Sequence, residues 1–391
     1  MQLAARMARL GTETAFSVLA RARALEAQGR DIIHLEIGEP DFDTPRNIIR
    51  AGVAALQGGH THYTPAAGIP PLREAIAEYI GGTRGIAVGP ENVVVVPGGK
   101  PIIFFSIMAL VEAGDEVIMP NPSFPIYESM VDFVGARPVF VPLVEERGFG
   151  FDLDVFAASL SDKTRLVILN SPSNPTGGVL HQDQIAAIAR LLADWPRVMV
   201  LSDEIYSRML YVGAHHSIAA EPGMLERTII LDGFSKTYAM TGWRLGYGVM
   251  PEALAKAVTQ LQINATSCVN AATQMAGIEA LRGPQTDVDH MVEAFLGRRD
   301  RIVAGLNAIP GIRCVQPEGA FYAFPNISDL GIGEQELADG LLQGAGVAVL
   351  PGTAFGSHGK GYLRLSYANS VANIDRALER IAAHVGRLER A

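Results

Sequence analysis

Five short apolar runs in this chain each end in residues able to do chemistry. Val93–Val96 leads into Gly98-Gly99-Lys100-Pro101, Val117–Met119 into Asn121-Pro122-Ser123-Phe124, and Leu166–Leu169 into the polar stretch from Asn170 to Gly177. Val198–Leu201 leads into Ser202-Asp203-Glu204-Ile205-Tyr206, and Thr228–Leu231 into Gly233-Phe234-Ser235-Lys236-Thr237. Lys236 is the sharpest of these residues. A lysine partly desolvated between Ser235 and Thr237 loses its proton more readily and can condense with a carbonyl group. A lysine at a helix start more commonly snorkels its ammonium into water. Asp203, three residues before Tyr206, can keep a ring nitrogen protonated, because unit charges about 4 Å apart at an effective dielectric near 20 attract by about 4 kcal/mol. An Asp-Glu pair in that place also suits a helix N-cap.

The Gly98-Gly99-Lys100 turn ahead of Pro101 offers backbone N–H groups to an anion, although an ordinary Gly-Gly turn has the same composition. It does not fit a nucleotide P-loop, because Val94 stands where that motif needs its first glycine. Arg244, in Thr241-Gly242-Trp243-Arg244, would add a charge-assisted contact to such an anion or form a surface ion pair. His60/His62 and His215/His216 lack metal-ligand spacing and read as loop residues, so no metal site is expected.

The elements that must position these residues follow from the same runs. They barely alternate, which is the pattern of strands buried on both faces of a largely parallel sheet with helices between them. In such α/β sheets ligands bind beyond the carboxyl ends of the strands, so five polar clusters on that edge define one site. Residues 13 to 30 carry helical periodicity through Phe16, Leu19, Ala20 and Leu25 and stop at Gly29. Past Gly283-Pro284 a helical stretch from Val288 to Leu306 precedes β-like pieces at Phe321–Phe324, Val347–Leu350 and Tyr362–Tyr367 and a terminal helix. The expected division is a large domain over 45–283 and a smaller α+β domain of 284–391 together with 1–44.

Composition narrows the class further. The 391 residues are 48% hydrophobic and 19% charged, which is ordinary for a globular chain. Scaling for this mass gives roughly 15,000 Å² of folded surface against about 60,000 Å² unfolded, a core that needs no metal or disulfide. The net charge of −9 argues against a nucleic-acid or anionic-membrane binder. Cys268 and Cys314 sit in no ligand-like spacing and fit a reducing, cytoplasmic setting. The longest apolar stretch, Ile102 to Val111, is broken by Ser106 and falls short of the ~20 residues a bilayer demands. The start of the chain lacks the apolar core of a signal peptide.

Asn174-Pro175-Thr176-Gly177, Ser202-Asp203-Glu204-Ile205-Tyr206, Ser235-Lys236-Thr237 with Gly242-Trp243-Arg244, and Arg364-Leu365-Ser366-Tyr367 resemble, in this order, the motifs of class I aminotransferases, pyridoxal-phosphate enzymes of fold type I. The segment from Gly38 to Pro45 and Tyr63-Thr64-Pro65 resemble the branch holding many bacterial and archaeal aspartate aminotransferases. The resemblance implies a mostly parallel seven-stranded sheet between helices, a smaller α+β domain, and ping-pong transfer of an amino group from an L-amino acid to a 2-oxo acid, with 2-oxoglutarate the expected acceptor. Lys236 then matches the Schiff-base lysine that also shuttles the substrate proton, and Asp203 the partner of the pyridine nitrogen. Tyr206 and Asn174 match the residues bonding the phenolic oxygen, and Phe124 the ring stacked on the cofactor. Gly99, Lys100, Ser235 and Arg244 match the phosphate cradle. Tyr63 matches a tyrosine that reaches the neighbouring subunit's phosphate, implying a homodimer with shared sites. Arg364, with Gly38 alongside, matches the grip on the substrate α-carboxylate, and Phe124, Asn174 and Lys100 also face the substrate.

Three departures stand out. Phe124 replaces the Trp or Tyr frequent in relatives, and Gly233 a serine that often helps bind phosphate. Lys100 is kept where aspartate-using relatives recognise the distal carboxylate, but Glu13 and Ala15 lie near the positions of the hydroxyl pair that assists it. A carboxylate at Glu13 would neutralise Lys100 and weaken recognition of acidic substrates; a solvated helix residue would do neither. A C–S β-lyase uses the same contacts and is the alternative activity. A non-enzymatic cofactor sensor would carry a DNA-binding domain ahead of the resemblance, where this sequence has about a dozen residues.

Overall fold

β-Branched side chains pack well on a pleated surface, and a strand covered on both faces has no need to alternate. Val93–Val96 meets that description with all four side chains fully buried. The structure, a computed structural model describing residues 1–388, places its strands at β1 (Ile33–His34), β2 (Val93–Val96), β3 (Glu116–Asn121), β4 (Arg137–Val144), β5 (Gly150–Phe151), β6 (Thr164–Asn170), β7 (Met199–Asp203), β8 (Thr228–Gly233), β9 (Gly246–Val249), β10 (Tyr322–Ala323), β11 (Val347–Ala348), β12 (Leu350–Pro351) and β13 (Leu363–Ser366).

The central sheet runs β2-β9-β8-β7-β6-β3-β4-β5. Strands β4, β3, β6, β7 and β8 are mutually parallel, while β9 runs antiparallel between β2 and β8. From β3 the chain moves outward to β4 on one side and through β6, β7 and β8 on the other. The switch point therefore lies between β3 and β6, with the ends of β7 and β8 beside it. The fold is the α/β arrangement expected, with one addition: a two-residue edge strand, β5, makes the sheet eight-stranded rather than seven-stranded.

Two strands escape the apolar-run pattern for stated reasons. Strand β4 carries Pro138 and Pro142, which read as breakers, and a proline is tolerated near a sheet edge. Strand β9 carries Gly246 and Gly248. A Cβ on Gly246 would lie 2.6 Å from the Gly99 nitrogen, so β9 must be bare where the turn after β2 crosses it.

The smaller sheets stitch the two ends of the chain together. Strand β1 pairs in parallel with β11, and β13 lies between β10 and β12. Leu35 donates its N–H to Ala348 and accepts one from Ser366, at 2.9 and 2.8 Å. The run Val347–Leu350 splits into two short strands because the chain changes partner there, from β1 to β13. Helices Thr286–Asn307 and Val371–Leu388 cover these strands with Phe295, Ile302, Ile374 and Ile381.

A buried ionic cluster fastens the helix Pro70–Arg84 to the ends of β7 and β8. Arg84 donates to Glu204 at 2.8 Å and to Asp232 at 2.7 Å. Glu204 also accepts from Ser202, Ser217 and His215. His215 is thus a loop residue, as expected, but one that ties a buried carboxylate. Burial alone would raise the Glu204 pKa, yet His215 and Arg84 hold it down at about 2. Burial dominates at Asp232, which is pushed up to about 6 against the pull of Arg84. Removing the shared cation would leave Asp232 buried without a cation and Glu204 with His215 alone. Arg84→Met is expected to cost about 3–5 kcal/mol of stability, read as a lowered denaturant midpoint; an unchanged midpoint would contradict this role.

Candidate active site

A cavity of about 970 Å³ opens beyond the carboxyl ends of the central strands. All five polar clusters reach it: Gly99 and Lys100 after β2, Phe124 after β3, Asn170 at the end of β6 and Asn174 after it, Asp203 at the end of β7 and Tyr206 after it, Ser235 and Lys236 after β8. From the opposite side come Tyr322, Arg364, Gly38 and the start of the helix Thr14–Glu26.

Lys236 Nζ donates to the Gly38 carbonyl at 2.6 Å and lies 5.9 Å from the Phe321 ring centre. Burial lowers its pKa to about 8; Arg364 and Arg244 push the same way, while Glu39 and Glu13 oppose them. Gly38 must lack a side chain, because a Cβ there would overlap the Tyr322 hydroxyl.

Asp203 ends β7 in register with Asn170 on one side and Leu231 on the other. Its Oδ2 accepts from the Tyr127 hydroxyl at 2.5 Å, and its Oδ1 from the Ile205 N–H at 3.3 Å. Burial nevertheless raises its pKa to about 6, helped by the nearby charges of Asp232 and Glu204. Asn170 donates its side-chain amide to the Asp203 carbonyl at 3.1 Å and accepts the Asn174 N–H at 2.9 Å. This fixes Asn174, whose Oδ1 is buried without a hydrogen-bond partner.

The Tyr206 and Tyr322 hydroxyls meet at 2.7 Å, with the rings edge to face. Burial raises both phenol pKa values, so each keeps its proton. Arg364, on β13, donates to the Glu36 carbonyl and stacks 4.7 Å from the Tyr322 ring centre and 5.1 Å from that of Phe355. Its Nε is buried and unpartnered.

Gly99 and Lys100 begin the helix Lys100–Leu110, whose first N–H groups have no intrahelical acceptor. Arg244 faces them from a left-handed backbone at φ 55° and donates to the Thr241 carbonyl at 2.9 Å. Gly98 sits at φ +83°, which L side chains rarely adopt, and a Cβ there would push the Arg244 guanidinium out of this corner. Buried Ser235 completes this corner, to which Gly233 brings no hydroxyl. Phe124 forms the wall of the cavity against Tyr127, edge to face at 5.8 Å. Lys100 Nζ pairs with Glu13 and lies 5.5 Å from the Phe124 ring centre. Tyr63 alone among the expected site residues stands apart: it is 90% exposed and does not line the cavity.

Two residues escaped the sequence reading. Tyr127 sits one helical turn after Phe124, a spacing that puts both on one face and was a usable signal. Tyr322 lies inside the apolar run Ala320–Phe324, where nothing distinguishes it from core.

The model of the family "Aminotransferase class I and II" matches residues 30–381. The chain is 40% identical over 383 residues to an aspartate aminotransferase of Musicola paradisiaca, covering 97% of this chain and 96% of that protein. It is 43% identical over 355 residues to one of Pyrococcus horikoshii, with 90% of each covered. The crystal structure of an aspartate aminotransferase from Rhizobium meliloti superposes with a TM-score of 0.95 at 38% identity, covering 99% of both chains.

The environment of Lys236 has a direct chemical consequence. Its rate of condensation with a small aldehyde, corrected with Lys236→Ala, is expected to reach half its plateau near pH 8. Reactivity still climbing toward the ordinary lysine value of about 10.4 would show that burial does not act on this amine.

Proposed function

The chain belongs to the aminotransferase class I and II family and is a pyridoxal-phosphate-dependent aminotransferase; from that premise we propose that it transfers the amino group of an L-amino acid to a 2-oxo acid, 2-oxoglutarate foremost, at the cavity between Lys236, Asp203 and Arg364. The observation that carries this reading is the convergence of an amine with a pKa of about 8, a buried carboxylate and an arginine with an unpartnered Nε. The C–S β-lyase alternative is not favoured by the relatives, which are named as aspartate aminotransferases.

The residues present fit the cofactor. Asn174 Oδ1 is a buried polar atom without a partner, and the Gly98–Gly99 turn is a bare cradle that a Cβ would fill. Pyridoxal 5'-phosphate, when bound, supplies a carbonyl that takes up amines and a protonated ring that accepts electrons from the substrate Cα. In this reading Asp203 holds the ring nitrogen protonated, with Tyr127 fixing the carboxylate. Tyr206 and Asn174 hold the phenolic oxygen, and Phe124 stacks on the ring. The backbone of Gly99 and Lys100, with Ser235 and Arg244, holds the phosphate. Arg364, with its two-pronged guanidinium, grips the substrate α-carboxylate beside Gly38. Lys236 Nζ, freed as a neutral amine near pH 8, takes the proton from the substrate Cα.

The reading treats 45–283 as the large, cofactor-holding domain and 284–391 with 1–44 as the small one. It assigns exposed Tyr63 to the site of a second copy, making a homodimer with shared sites. It places the enzyme in the cytoplasm, consistent with the free thiols of Cys268 and Cys314. No helix among the described residues is long and apolar enough to cross a membrane.

Lys236→Ala is expected to lower turnover by at least about 10⁴-fold while the folded protein still takes up the cofactor; near-wild-type turnover would refute the mechanism. Shared sites have their own test. Mixing Lys236→Ala with Tyr63→Ala subunits, denatured and refolded together, should restore activity that neither variant has alone, because one hybrid site is wholly native. No gain on mixing would remove Tyr63 from the neighbouring site.

A further inference from the structure

We infer that Glu13 is a built-in counter-ion for Lys100, and that the pair sets the preference of this site for amino acids with uncharged side chains over those with a distal carboxylate. The inference rests on the aminotransferase reading above and names its substrate class. Every amino acid presents a carboxylate and an amine, which Arg364 and Lys236 would meet. The variable side chain must then face the rest of the wall, where Glu13, Phe16 and Phe124 surround the Lys100 ammonium.

The placement of Glu13 is not explained by helix formation. It occupies the N-cap of the helix Thr14–Glu26, where Ser, Thr, Asp and Asn are the preferred residues, and its side chain makes no capping bond. Its carboxylate reaches across to Lys100 instead, with the two side chains 20% and 43% exposed. Lys100 Nζ lies within 5.9 Å of the Phe16 ring centre and 5.5 Å of that of Phe124, so the pair is flanked by aromatic faces. Glu13 also feels the reacting end of the cavity, since its charge acts on both Lys236 and Arg364. Besides Lys100, Lys236, Arg244 and Arg364, two cations line the cavity: Arg23 is exposed and screened by solvent, and His34 is paired with Glu26 and Glu36.

An entering distal carboxylate finds Lys100 already neutralised. It must displace Glu13, stranding that charge in a partly desolvated place, or lie beside a compensated pair and lose its own hydration. A neutral side chain leaves the pair intact and covers Phe16 and Phe124. The oxo acid uses the same wall, so 2-oxoglutarate, the acceptor proposed above, must displace Glu13 each time it enters, whereas the amino donor need not.

The test uses the cofactor-loaded enzyme and two acids that cannot react, maleate and 3-phenylpropanoate, with binding read from protein fluorescence. It is paired with the half-reaction kcat/KM for aspartate and phenylalanine. The wild type should bind 3-phenylpropanoate at least about tenfold more tightly than maleate, the scale of one charge-assisted contact. Glu13→Gln should tighten maleate and raise kcat/KM for aspartate by about tenfold, leaving 3-phenylpropanoate within about twofold. Adding Lys100→Met should abolish the gain, which a merely structural role for Glu13 would not predict. Glu13→Ala should give the same gain for maleate and aspartate, so the assignment remains testable if Glu13→Gln fails to fold. A wild type that prefers maleate and aspartate, a Glu13→Gln variant without the gain, or no binding of either acid would each overturn the inference. The predicted binding pattern without amino transfer from any amino acid would instead refute the aminotransferase reading.

Discussion

The buried carboxylate of Asp203 is the constraint around which this structure is arranged. A charge at the end of β7, shielded from water, is tolerated only with hydrogen bonds and a cation to answer it. Tyr127 and the Ile205 N–H supply the hydrogen bonds, and they do not suffice: burial still holds the pKa near 6. The position makes sense for a group that meets a protonated ring nitrogen. Because Asp203 is fixed by register against Asn170, the same strand pairing that builds the sheet also orients Asn174.

A second balance operates across the cavity. Lys236, Arg244 and Arg364 converge on one space, and their mutual repulsion adds to the burial that weakens the hold of Lys236 on its proton. The arrangement is strained as a collection of charges and reasonable as a receptacle for anionic groups. The Arg84–Glu204–Asp232 cluster lies next to the site, and its two carboxylates, though paired with Arg84, still help raise the Asp203 pKa.

Much of this was legible in the sequence, for physical reasons that differ by element. The five apolar runs marked the buried strands because full burial removes alternation, and the polar residues after them marked the site because open parallel sheets bind ligands at that edge. Strand β4 was hidden by its prolines and β9 by its glycines, residues whose presence answers to edge position and close backbone approach rather than to strand propensity. Tyr322 was hidden because an aromatic residue inside the apolar run Ala320–Phe324 carries no signal that sets it apart from core. The expectation for Tyr63 came only through resemblance, and the single chain leaves that side chain in solvent. Glu13 could be noticed as a departure, but only the structure brings its carboxylate to Lys100.

The measurement that bears most directly on the account is the protonation of the cofactor's ring nitrogen in the assembled enzyme, followed by nitrogen NMR with isotope-labelled cofactor. The account predicts a nitrogen protonated throughout the neutral range in the wild type and unprotonated there when Asp203 is replaced by alanine. A ring nitrogen that is unprotonated in the wild type, or unaffected by the loss of Asp203, would contradict it.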